Sequence, residues 1–178
     1  DGEYVLLAWN DLGMHCISDS DPWFVILPPA NTLEAVLIKK GVKPEIVSRG
    51  VTIDYQVEKG FRHPERHVKF WKYSKALLGK AIPPGVGLTG KKVTGKMQWD
   101  PSTHSFAAHA IPVVPYTDDG RFDPYPRFDL VARDKQGREL ARTRVVAPTS
   151  TEMGCRNCHG GPWRVKGQSG VAPSTAQN

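Results

Sequence analysis

The sequence predicts a mainly β domain of sandwich type, immunoglobulin-like in general plan. Three observations predict it. Val51, Ile53, Tyr55 and Val57 alternate with Thr52, Asp54 and Gln56, the period of a strand with one buried face. Short apolar runs are separated by good turn chemistry, as at Asp134-Lys135-Gln136-Gly137. Fifteen prolines and seventeen glycines punctuate the chain, which suits many short strands better than alternating strands and helices.

The elements follow in order. Thr32 to Ile38 is a strand candidate, and Val51 to Val57 is another. Phe70 to Leu78 has room for one or two helical turns, which Gly79 ends. Pro83-Pro84-Gly85 then forces a loop. Residues 93–99 and 105–111 read as a hairpin around Asp100-Pro101-Ser102-Thr103, and a second hairpin joins 127–133 to 138–146. Trp71, Trp99, Val51, Ile53, Tyr55, Leu130 and Val145 sit on the apolar phase of these elements and are the expected core. The sandwich should span residues 1–147. A short helical or irregular segment follows over 148–166, where Thr149-Ser150-Thr151-Glu152 has the form of a capping box. Residues 167–178 are rich in Gly, Ser, Ala and Gln and should form an extended tail.

At 178 residues and 39% hydrophobic, the chain fits one domain with a real core. No apolar stretch reaches about eighteen residues, so no transmembrane segment is expected. The net charge is +6, and the basic residues read as spread along the chain. Without a basic run, no nucleic-acid partner is expected; an acidic protein partner suits the charge better.

The chemistry lies in Cys155-Arg156-Asn157-Cys158-His159. C-x-x-C-H is the attachment pattern of a c-type haem: two thiols bond the porphyrin vinyl groups, and the adjacent imidazole ligates the iron. A zinc site would need four ligands, usually in two pairs, and there is no second C-x-x-C. A plain disulfide would not need His159. The expected cofactor is therefore one covalent haem c on Cys155 and Cys158, with His159 as proximal ligand. In bacteria such a haem is attached after export, so the expected location is periplasmic or extracellular, Asp1 following a removed signal.

Asn10-Asp11-Leu12-Gly13-Met14-His15-Cys16, then Leu27-Pro28-Pro29 with Asn31-Thr32-Leu33, resembles a family of exported bacterial proteins labelled as c-type cytochromes. Phe70-Trp71-Lys72-Tyr73 with Gly87-Leu88-Thr89-Gly90, and Pro148 through Met153 into the C-x-x-C-H, are similar to the same family. Members often sit beside multihaem redox proteins. The resemblance thus implies a redox protein partner, a multihaem cytochrome among the candidates.

An iron held by one protein ligand needs a sixth. Met153 lies too close to Cys155 to reach the far face. His63 and His67 read as exposed loop residues, His104 sits at a hairpin turn, and His109 reads as a strand residue able to serve the core. His15 is favoured, in a polar loop just after the first strand, where it would be the distal ligand of a bis-histidine iron. The alternative is structural: Gly13 takes positive φ and His15 bonds backbone. Cys16 is the odd cysteine: buried and inert, a thiolate ligand to haem or another metal, or an intermolecular linkage. Asp19, Ser20 and Asp21 are turn residues or a calcium loop.

The expected function is one-electron transfer, with no catalytic residues assigned. The alternatives are a catalytic haem protein acting on a small molecule, and a β-sandwich that docks to a multihaem assembly. No Ser-His-Asp set, phosphate loop or catalytic carboxylate pair is evident.

Overall fold

The structure, a computed structural model, describes residues 2–17 and 27–151. Its strands are Tyr4–Asn10 (β1), His15–Ile17 (β2), Asn31–Lys39 (β3), Glu45–Ile46 (β4), Val51–Val57 (β5), Thr94–Lys96 (β6), Gln98–Asp100 (β7), Ser105–Ile111 (β8), Arg127–Asp134 (β9), Glu139–Val146 (β10) and Thr149–Thr151 (β11). One helix, Phe70–Leu78 (α1), lies between β5 and β6. The fold is mainly β and sandwich-like. One antiparallel sheet runs β1-β3-β8-β7 with β4 added on β3; the other runs β10-β9-β5-β6.

The alternation read in the sequence is what closes this sandwich. Leu33, Ala35 and Leu37 of β3, with Phe106 and Ala108 of β8, face Ile53, Tyr55 and Val57 of β5 and Phe128, Leu130 and Ala132 of β9. All are at most 5% exposed. Each large side chain buried here contributes about 1.5–3 kcal/mol relative to exposure. Ile53, Tyr55 and Leu130 are core as expected; Trp99, Val51 and Val145 are only partly buried and pack at its margin. Trp71 is buried elsewhere, in a second cluster described below.

The β9–β10 hairpin forms as read. The Asp134 carboxylate accepts from the Gln136 and Arg138 amides, and Gly137 takes φ 81°. The first hairpin differs. Residues 93–99 are two strands in two sheets, β6 paired with β5 and β7 paired with β8. The crossing is at Met97, which is 6% exposed and donates its amide to the Ile53 carbonyl at 2.9 Å. A strand that switches sheets closes this side of the sandwich, and β1 lies against β10 on the other. The helix ends at Gly79, φ 70°, as expected. Among the described residues, no helix is long and apolar enough to cross a membrane.

The second cluster lies outside the sandwich core. Ile17 from β2 packs with Val68, Phe70, Trp71, Ile82 and Val114. Trp71 Nε1 donates to the Val86 carbonyl at 2.8 Å, tying α1 to the loop before β6. Ser74 Oγ accepts from the Ile82 amide at 3.0 Å. The amphipathic helix is thereby fixed on its Phe70–Trp71 side.

Candidate functional site

Cys155, Cys158 and His159 lie outside the described residues, as do Met153 and Asp19–Asp21. The described chain reaches Thr151, four residues before Cys155. Its last stretch corrects the expected capping box. Thr149, Ser150 and Thr151 form a strand, each at most 1% exposed, rather than opening a helix. The reason is tertiary. Their backbone pairs in parallel with β2, and the Thr149 hydroxyl donates to the Ala147 carbonyl at 3.1 Å.

In that pairing His15 stands beside Thr149, Cys16 beside Ser150 and Ile17 beside Thr151. The His15 amide donates to the Pro148 carbonyl at 2.9 Å. His15 therefore opens a strand, where the sequence suggested a loop; the polar loop is Asp11–Met14, with Gly13 at φ 67° and the Asn10 amide donating to the Gly13 carbonyl. Successive strand residues point to opposite faces. His15 and Ile17 thus share one face of β2, toward the second cluster, and half-buried Cys16 takes the other.

The His15 imidazole is half-buried, with Nε2 3.2 Å from the Pro28 carbonyl. A carbonyl only accepts, so Nε2 carries the proton and a neutral ring keeps its lone pair on Nδ1. A ring nitrogen held by a backbone carbonyl is the usual support of a metal-binding histidine.

Asn31 is the functional candidate that sequence reasoning passed over. It is fully buried, and its Nδ2 donates to the Pro148 carbonyl and to Thr149 Oγ1, both at 3.1 Å. Its Oδ1 is buried without a hydrogen-bond partner among the described residues. Most buried polar atoms are satisfied, so this atom is an exception among the described residues. The available signal was Asn31 itself, a polar residue directly before the strand candidate Thr32 to Ile38.

Three separated stretches thus meet at β2 and β11: residues 10–17 supply His15, residues 27–33 supply Pro28 and Asn31, and residues 147–151 lead toward Cys155. The fourth, 70–73, joins them through Ile17. The other ligand candidates do not come here. His109 is exposed rather than core, its Nε2 3.8 Å from Asp100 Oδ2. It sits where two residues of β8 oppose Thr32 of β3, a bulge that turns the side chain outward. His63 is exposed, as expected. His67 is half-buried against Tyr116 and contacts the Asp118 carbonyl, so it is not the free loop residue expected. His104 is at the turn, and Met97 is enclosed in the core. Among the described residues, no group of three or more His, Cys, Asp or Glu could hold a metal ion.

No family model, curated protein or solved structure matches this chain.

Proposed function

We propose that the protein is a single-haem c-type cytochrome that transfers one electron at a time with a partner redox protein outside the cytoplasm. Cys155 and Cys158 hold the porphyrin covalently, His159 is the proximal ligand and His15 the distal one. The observation that carries this reading is the parallel pairing of β2 with β11. It sets His15 beside Thr149, six residues before Cys155 in the strand that leads to the motif.

The described residues fit such a group. His15 offers an imidazole already oriented by Pro28, with Nδ1 as the nitrogen left for the iron; ligation through Nε2 requires giving up the Pro28 contact. The orphan Oδ1 of Asn31 lies in the same neighbourhood. The haem supplies the Fe(III)/Fe(II) couple. The protein's part is to hold both imidazoles, keep water from one side through the Ile17–Trp71 cluster, and leave no open iron position for a substrate.

The test has two stages. The intact mass should exceed the polypeptide by one haem and keep that excess after acid denaturation. The iron should be low-spin, and His15→Ala should make it high-spin and able to bind added imidazole. Loss of the cofactor on acid-acetone extraction refutes the covalent haem. An unchanged low-spin spectrum in the variant refutes His15 as ligand.

A further inference from the structure

Residues 66–99 contain eight Lys and Arg and no acidic residue. The remaining chain has sixteen basic against eighteen acidic residues, a net of −2. The whole positive excess therefore lies in one stretch, centred on α1, and is not spread along the chain as the sequence first suggested.

Many cations on the strands pair with acids, Lys96 of this stretch with Asp54 among them. Arg127 pairs with Glu58, Arg138 with Asp134, Arg142 with Glu139 and Arg144 with Asp129. On α1 and its approach, Arg66, Lys69, Lys72 and Lys75 are exposed and make no ion pair with an acid among the described residues. Lys69, Lys72 and Lys75 recur every third residue, which places them along one side of the helix. Beside them is a hollow lined by Arg66, Lys69 and Lys72 together with Pro84, the buried Val68 and Trp71, and one acid, Glu65. Leu77 and Leu78, 45% and 48% exposed, add a small apolar patch at the helix end.

We propose that this face is the docking surface for an acidic electron-transfer protein, a reading whose electron-transfer part rests on the cytochrome assignment above. A small apolar patch beside a mainly basic helix face suits a transient, salt-sensitive protein contact. An anionic membrane is the weaker fit. The helix has nine residues, and its Phe70 and Trp71 already pack into the domain, leaving two leucines to insert. The location serves the chemistry. Phe70 and Trp71 share a buried cluster with Ile17, which shares a strand face with His15, so the helix that carries the basic face packs toward the strand of the proposed ligand.

The test uses a plant-type ferredoxin, a small acidic redox protein, titrated against the haem-loaded chain at low and high salt. Replacing Lys69, Lys72 and Lys75 together by Glu should weaken binding at least tenfold at low salt, and the Gln set should give a smaller loss in the same direction. Replacing Arg138, Arg142 and Arg144 by Glu changes net charge equally and should alter binding less than twofold. Circular dichroism checks that each variant is folded. Equal losses from the two Glu sets show that overall charge alone acts, and overturn the proposal. So does absent ferredoxin binding combined with α1-dependent sedimentation on phosphatidylserine vesicles. If the chain carries no covalent haem yet binds ferredoxin through α1, the cytochrome reading fails and the docking surface stands.

Discussion

Asn31→Ala tests whether the β2–β11 unit is strapped to the sandwich by one side chain. The amide makes two hydrogen bonds from a fully buried position, each worth about 1 kcal/mol net. Neither acceptor is fully stranded by its loss. The Pro148 carbonyl keeps the His15 amide, and Thr149 Oγ1 keeps its bond to Ala147. Removing the orphan Oδ1 returns roughly 1 kcal/mol, and the void left behind costs a similar amount. The expected loss is therefore about 2 kcal/mol, read from urea unfolding with an unchanged slope. The isosteric Asn31→Asp should be worse, by about 3–5 kcal/mol at neutral pH. It sets a buried carboxylate against an acceptor in place of a donor. Its deficit should narrow as pH falls and the carboxyl protonates. Amide exchange at His15 should accelerate in both variants more than at core residues such as Ile53. An Asp variant more stable than the Ala variant at neutral pH refutes the reasoning. So does unchanged protection of the His15 amide.

Two other perturbations probe the sandwich. Burial pushes the Tyr55 hydroxyl up to about 12, and it donates to the Lys92 carbonyl at 3.0 Å. Below the ordinary tyrosine value near 10 both states hold the proton; above it the unfolded chain ionises first, so stability should fall between pH 10 and 12 by up to about 2–3 kcal/mol. Tyr55→Phe should flatten that part of an alkaline unfolding series, and a parallel decline in the variant counts against this cause. A Cβ on Gly87 would lie 2.2 Å from the Ala110 carbonyl oxygen, so Gly87→Ala must move backbone against the β8 bulge. Thermal unfolding should show a loss of about 1–3 kcal/mol, and an unchanged midpoint would mean the loop is not seated there.

The elements that were legible in the sequence are those whose period is set by one core. β5 alternates cleanly because one face meets the sandwich interior, and the β9–β10 turn announces itself through Asp134 and Gly137. The crossing at Met97 was hidden for the same reason. Val93, Met97 and Trp99 all face inward, and a strand that passes between two sheets sharing one core keeps its phase. Periodicity reports burial, not which neighbour a strand pairs with. β11 was misread because Thr and Ser serve both helix caps and strands; the pairing with β2, more than a hundred residues away, decides between them. His15 lies in a strand of three residues, too short to show any period. The basic face was readable all along. It needed charge counted in windows, because the total of +6 averages a strongly basic fifth of the chain against a slightly acidic remainder.

The arrangement around His15 divides the residue's work between backbone and ring. Its amide holds β2 to Pro148, a bond that any residue except proline can make. Its ring meets only the Pro28 carbonyl among the described residues, and that contact is half-exposed. Ile17, fully buried two residues later, anchors the strand whatever stands at 15. For that reason His15→Ala is a clean experiment: the platform should survive through the Pro148 bond and Ile17, and any change in the spin state of the proposed iron can be assigned to the lost ring.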